Sequence, residues 1–276
     1  MSQTSFSRLD IDDRGVAWLT LERPEVHNAF DDHLIAELND HLRRVGELAH
    51  RGEVRVLVLG SEGKSFSAGA DLNWMKRMVD YDFEDNLADS RELSALMHGL
   101  DTLPCPTVCR VQGATFGGAV GLAACCDLVV ASEKARFCLS EVRIGLSPAV
   151  ISPYVQRALG SRQMRRYALT AEIMDAATAE RLGLVHRLVA PDELDAAVDA
   201  MVDTLLATSP QASRATKALL AEVARDPDSN ATRDHTCRII SELRVSHEGQ
   251  EGLASFFEKR RPAWAPDDPS NTERQK

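Results

Sequence analysis

The sequence predicts an α/β protein whose chain ends in a run of helices. Three observations carry that expectation. Strand-like and helix-like segments alternate through the first half in a β-β-α, β-α, β-α rhythm. The run V-R-V-L-V-L at residues 54–59 is aliphatic and β-branched, as a strand covered on both faces should be. Beyond Pro191 the apolar spacing turns wholly helical, broken only by Pro, Asp and Gly.

The elements follow in order. Residues 5–12 and 15–22 read as short strands, and residues 54–59 as the third. Between the second and third, Leu34, Ile35, Leu38, Leu42, Val45 and Leu48 fall on one face of a helix that Asp31 or Asp32 can cap. Residues 87–103 form the next helix, which Pro104 and Pro106 end before a strand at Thr107–Val111. A short helix begins near Gly117, and a strand follows at residues 127–131. Four helices are expected at Leu194–Leu206, 210–224, 231–245 and 249–260. This divides the chain into a core at 1–190, a helical module at 191–264 and a disordered polar tail at 265–276. No internal repeat is visible.

Composition narrows the function. The 276 residues are 44% hydrophobic and 27% charged, ordinary for a globular protein. No apolar run approaches the 18 or so residues needed to span a bilayer, and residues 1–10 are polar, so the expected location is cytoplasmic. The six cysteines include no C-x-x-C pair, and the histidines lack metal-ligand spacing; packed thiols and no metal are expected. A net charge of −10 argues against nucleic acid. Arg157, Arg162, Arg165 and Arg166 form a local basic cluster that a solvated helix face explains.

Two segments of very small residues are the candidates for carrying chemistry, with a tight turn or close helix packing as the alternative for each: Ala68-Gly69-Ala70-Asp71-Leu72 and Gly113-Ala114-Thr115-Phe116-Gly117-Gly118-Ala119. Such residues leave backbone amides uncovered and let a ligand approach closely. Two amides aimed at one point stabilise charge developing on a carbonyl oxygen. Neither segment has the residues of a nucleotide-binding loop, and no G-x-S-x-G elbow is present. Glu141 stands between apolar stretches, where desolvation raises a carboxyl pKa and suits it to proton transfer. A surface or helix-capping glutamate reads equally well from the local sequence.

Five motifs in order resemble the enoyl-CoA hydratase/isomerase, or crotonase, family. They are Arg23-Pro24 with Asn28-Ala29, F-S-A-G-A-D-L (66–72), V-Q-G-A-T-F-G-G-A (111–119), C-D-L-V-V-A (126–131) and A-R-F-C-L-S-E-V-R-I-G-L (135–146). E-G-L-A-S-F-F-E-K-R (251–260) is similar to that family's closing helix, so the resemblance spans residues 5–264. It implies a crotonase-like spiral of ββα repeats with a C-terminal helical module, assembled as a trimer or a dimer of trimers. It implies an acyl-CoA thioester as substrate, with coenzyme A entering as part of it and no separate cofactor.

By the same resemblance, the oxyanion donors are the amides of Ala70 and Gly118, and Glu141 is the acid/base. Glu25, Val26, His27, Lys64, Ala68, Asp71 and Leu72 would line the CoA path, and Phe256 and Lys259 would reach the CoA of a neighbouring subunit. Gly117 and Gly121 would lie against the substrate. The sequence departs from the family at Gly121, where well-known hydratases carry a second glutamate. Three explanations stand: an isomerase shuttling one proton, a hydratase whose water is held by Glu141 and another group, or a substrate whose own carboxylate fills the room at Gly121. The stretch at 140–154 resembles bacterial hydratases of branched, carboxylated enoyl-CoAs, the methylglutaconyl-CoA and isohexenylglutaconyl-CoA types. Arg143 is then a candidate partner for the distal carboxylate, with a salt bridge as the alternative. A non-catalytic protein binding acyl-CoA or RNA is the remaining reading.

Overall fold

The computed structural model describes residues 5–266, so the tail expected at 265–276 falls, beyond Pro266, outside the described residues. In chain order the elements are β1 (Ser7–Ile11), β2 (Val16–Leu21), α1 (Asp32–His50), β3 (Val56–Ser61), α2 (Leu72–Met78), α3 (Phe83–Asp101), β4 (Thr107–Val111), β5 (Ala114–Phe116), α4 (Gly118–Cys125), β6 (Leu128–Ser132) and β7 (Arg136–Cys138). They continue with α5 (Ser152–Leu159), α6 (Ser161–Thr170), β8 (Met174–Asp175), α7 (Ala176–Arg181), β9 (Arg187–Val189), α8 (Leu194–Leu206), α9 (Pro210–Val223), α10 (Asn230–Val245) and α11 (His247–Glu258).

The larger sheet has the order β1-β2-β3-β4-β6-β9. Its one antiparallel pair is β1 with β2; the other pairs are parallel. A parallel sheet needs cover on both faces. One face meets α1, whose Leu34, Ile35, Leu38, Leu42, Val45 and Leu48 are all buried, together with α3 through Leu96, Met97 and Leu100. Each such side chain contributes roughly 1.5–3 kcal/mol on burial. The other face presents Val16, Val56, Val58, Val108 and Val130 to Leu194, Val198, Val202 and Leu206 of α8. That double burial explains the unbroken aliphatic run of β3. Asp31 is the cap of α1, accepting the Leu34 N–H at 2.8 Å. Helix α3 begins earlier than expected because Asp82 and Asp85 form a capping box.

A second sheet, β5-β7-β8, has strands of only two or three residues. It determines the geometry of the site. Strands β5 and β7 run parallel, with Phe116 opposite Cys138. The residues that follow their carboxyl ends, Gly117-Gly118 and Glu141, therefore emerge at the same edge.

Helices α9, α10 and α11 behave differently from α8. Lys217 and Arg214 tie α9 to the core, Lys217 Nζ donating to Asp127 Oδ2 at 2.7 Å and Arg214 Nη1 to the Ala49 carbonyl at 2.8 Å. Yet α9 and α10 bury no side chain fully, and Leu220, Ile240, Val245, Leu253, Phe256 and Phe257 are exposed. The basic cluster expected from the sequence lies on α5 and α6 and is partly neutralised, Arg157 by Asp101 and Arg166 by Glu172. Among the described residues no helix is long and apolar enough to cross a membrane.

Candidate active site

Three separate segments meet at the edge of the small sheet. Segment 66–71 leaves β3 and runs between residues 27–30 on one side and β5 on the other. Ala68 N–H donates to the His27 carbonyl at 2.9 Å, Phe30 N–H to Gly69 at 2.7 Å and Asp71 N–H to Phe30 at 2.7 Å. On the opposite side Ser67 N–H donates to the Ala114 carbonyl and Phe116 N–H to the Ser67 carbonyl. Gly69 takes φ +90°, and a Cβ there would stand 2.9 Å from the Phe116 carbonyl oxygen. Gly117 takes φ +54°, and a Cβ there would lie 3.4 Å from Glu141 Oε1 and 3.9 Å from Gly69 Cα. Only glycine meets both demands without strain, so the two tiny-residue segments touch each other and the carboxyl of Glu141.

The hydrogen bonds then single out two donors. Gly69 N–H is taken by Ser67 Oγ and Gly117 N–H by the Cys138 carbonyl. With Ala68 and Asp71 also paired, Ala70 and Gly118 are the amides of 68–71 and 117–118 that have no acceptor among the described residues. Gly118 opens α4, where the first amides of a helix lack intrahelical partners and carry its positive end.

Glu141 begins a 3-10 turn spanning Glu141–Ile144. Its Oε2 is buried and has no hydrogen-bond partner among the described residues. Burial, offset only partly by its own backbone N–H, pushes its pKa above the ordinary glutamate value. A carboxyl held this way takes up a proton at higher pH than a surface glutamate, which suits it to proton transfer.

The other candidates fall into groups. Glu25 and Val26 lie in and His27 just after a 3-10 turn at Pro24–Val26; His27 Nδ1 meets Ser65 Oγ at 3.0 Å, beside exposed Lys64, and its carbonyl holds Ala68. Leu72 is exposed at the start of α2. Exposed Phe256 and Lys259 lie on or just after α11, which packs on α9 and α10.

The structure bears on three of the expected residues. Asp71 does not offer its side chain to a ligand: it is buried, Oδ1 accepts the Asn73 and Trp74 amides at the start of α2, and Oδ2 pairs with Arg23 at 3.1 Å. Arg143 Nη2 donates at 2.5 Å to the carbonyl of Ala171, just after α6, and meets no carboxylate among the described residues. Most important, no room exists at Gly121. A Cβ there would overlap Ile151 Cγ2, with Ile151 Cβ at 2.8 Å and Met97 Sδ at 3.2 Å. Aliphatic and thioether groups fill the space, so neither a second carboxyl nor a substrate carboxylate fits. Gly121→Ala is accordingly expected to cost about 1–3 kcal/mol. Trimming Ile151 to alanine in the same chain should recover part of that loss. Denaturant midpoints check this, and a Gly121→Ala protein as stable as the parent would refute the packing account.

A cavity of about 540 Å³ lies elsewhere, between the ends of β2 and β3 and helix α8, beside Trp18, Arg110 and Asp195. None of Ala70, Gly118 and Glu141 lines it. Its size does not make it the reactive site, because the small-residue segments that meet Glu141 lie outside it.

The profile of the family described as enoyl-CoA hydratase/isomerase matches residues 12–267. The chain belongs to that family. The crystal structure of an enoyl-CoA hydratase from Shewanella pealeana is 48% identical and superposes with a TM-score of 0.89, covering 95% of this chain and 97% of that one. Pseudomonas aeruginosa AtuE is 35% identical with a TM-score of 0.90, covering 95% of this chain and all of that one. A trans-2-decenoyl-acyl-carrier-protein isomerase of Streptococcus mutans is 31% identical over 91% of this chain and 94% of its own. The architecture described above is therefore the crotonase fold, and the chain is an enzyme of that family.

Proposed function

We propose that the enzyme adds water to an enoyl-CoA, with Ala70 and Gly118 holding the thioester oxygen and Glu141 as the one acid/base. The observation that carries this reading is that the segments bearing two uncovered amides close around the Glu141 side chain, whose buried Oε2 lacks a partner among the described residues. In the forward step Glu141 takes a proton from water as the water oxygen bonds to the β-carbon. The π electrons move onto the thioester oxygen between the two amides. Collapse of that enolate takes the proton from Glu141 onto the α-carbon, so one water is consumed and the carboxylate is restored.

The finer substrate reading is a branched, carboxylated acyl group such as 3-methylglutaconyl-CoA. Its support is the resemblance of residues 140–154. The distal carboxylate would not lie at Gly121, which Ile151 covers. Coenzyme A comes as part of the substrate, along residues 25–27, 64 and 68. A trimer or dimer of trimers is supported by the apolar side chains that α9, α10 and α11 leave exposed; a monomer in sedimentation would overturn it.

Isomerisation of the double bond is the second reading, and Ile151 at Gly121 favours it, because one carboxyl suffices to move a proton between two carbons. One experiment separates the readings. Enoyl-CoA esters, straight, branched and carboxylated, are incubated in oxygen-18 water while the conjugated absorbance is followed. A hydratase places label in the product and an isomerase does not. Silence across the whole panel would defeat both.

A further inference from the structure

Arg23 is a buried guanidinium between two buried aspartates. Its Nη1 donates to Asp31 Oδ2 at 2.9 Å and to the Ala29 carbonyl at 3.0 Å, and its Nη2 to Asp71 Oδ2 at 3.1 Å. The Phe6 ring lies 4.2 Å from the guanidinium carbon. Each aspartate spends its other oxygen on capping a helix, Asp31 on α1 and Asp71 on α2. One cation thus fixes the first turns of two helices relative to each other.

The residues just ahead of those caps are Phe30 and Ala70. The Ala70 N–H shares a peptide plane with the Gly69 carbonyl. In a trans peptide the two point in opposite directions, so whatever holds the carbonyl also aims the N–H. Phe30 N–H holds it at 2.7 Å, and the Phe30 carbonyl accepts from Asp71 N–H at 2.7 Å. The Ala70 N–H is therefore directed away from Phe30. The Phe30 ring backs the second donor: a Cβ on Gly118 would lie 3.1 Å from its Cε2. A single residue touches both halves of the hole.

We propose that Phe30, braced by the Arg23–Asp31–Asp71 network, is the positioning residue that sets the direction of both oxyanion donors. This rests on the reading of Ala70 and Gly118 as an oxyanion hole. Phe30 and Arg23 act through the amides and do not touch the substrate. Asp71 then serves turnover rather than CoA affinity.

The test reads the thioester carbonyl directly. Crotonyl-CoA with carbon-13 at that carbonyl is bound to the Glu141→Gln protein, in which turnover is suppressed, and its stretching frequency is measured by difference infrared spectroscopy. Binding is expected to lower the frequency. Adding Phe30→Leu to that protein removes the ring behind Gly118 but keeps the main-chain bonds to Gly69 and Asp71, so it should return part of the shift. In the otherwise unaltered enzyme, Phe30→Leu should lower kcat about 10- to 100-fold with KM little changed, as expected for donors displaced by a fraction of an ångström. Asp71→Asn keeps an oxygen to cap α2 and severs one ion pair; it should also lower kcat at constant KM, so the inference does not depend on Phe30→Leu folding well. If the Glu141→Gln protein binds the ester without any frequency shift, the oxyanion reading itself fails. If that shift is present and survives Phe30→Leu, or if Asp71→Asn raises KM and spares kcat, the hole stands and the positioning role is refuted.

Discussion

Glu141→Gln should lower turnover about a hundred- to ten-thousandfold, the range typical of a lost general acid/base, and leave the affinity for CoA esters nearly unchanged. Glutamine keeps the shape of the side chain but cannot carry the proton between oxygen and carbon. The same substitution should make the protein more stable at neutral pH. Burial holds the folded-state pKa of Glu141 above that of the unfolded chain. The charged carboxylate thus opposes folding above that raised value, and the penalty is absent below the unfolded value of about 4.3. The melting temperature of Glu141→Gln should exceed the parent's at pH 8, and the difference should close as the pH falls toward that value. In the parent, the acid limb of kcat/KM should lie above the usual glutamate range. Unchanged turnover in the variant would remove Glu141 from the mechanism. Equal melting temperatures at every pH would mean the carboxyl is well solvated.

The opposite signs expected for activity and stability have one cause. Glu141 Oε2 is buried, and no group among the described residues hydrogen-bonds to it. Such unsatisfied groups are rare in folded proteins and mark places where the fold carries a cost for another end. Asp71 is the counterexample: both of its oxygens are engaged, and it is correspondingly unfit to meet a ligand.

The sequence made the long elements legible. Six apolar residues at helical spacing located α1, and the uninterrupted aliphatic run located β3, because each pattern spans enough residues to define a period. Strands β5, β7 and β8 are too short to show any alternation, so the sheet that aligns Gly117, Gly118 and Glu141 was invisible. Residues 72–89 contain no clean apolar period, and helix α2 was missed with them. A signal for Asp71 was present: an aspartate directly before L-N-W-M-K is a cap pattern as readily as a ligand group. Ile151 is different in kind. It lies 30 residues beyond Gly121, just before α5, and no local pattern shows that the two share one space.

Gly118→Val should produce a loss of about a hundred- to a thousandfold in kcat, comparable to removing one donor from an oxyanion hole. The backbone amide cannot be deleted by mutation, so it has to be obstructed. A Cβ at residue 118 already approaches Phe30 Cε2 to 3.1 Å, tighter than ordinary contact, and Phe30 is itself buried. Valine adds two γ-carbons on that Cβ. One arm presses on the Phe30 ring, and relief requires α4 to shift at its first turn, where the Gly118 amide sits. The expected signature is a fall in kcat with modest change in KM, because residue 118 is not among the residues proposed to line the CoA path. Gly118→Ala should show a smaller loss of the same kind, since its single methyl needs only a few tenths of an ångström from the ring. Combining Gly118→Ala with Phe30→Leu separates crowding from alignment. If the alanine variant is slow only because it crowds the ring, the smaller leucine restores its rate toward that of Phe30→Leu alone. If alanine and valine at 118 both leave kcat intact, the amide of residue 118 does not hold the thioester oxygen, and Ala70 must act alone or with a group other than Gly118.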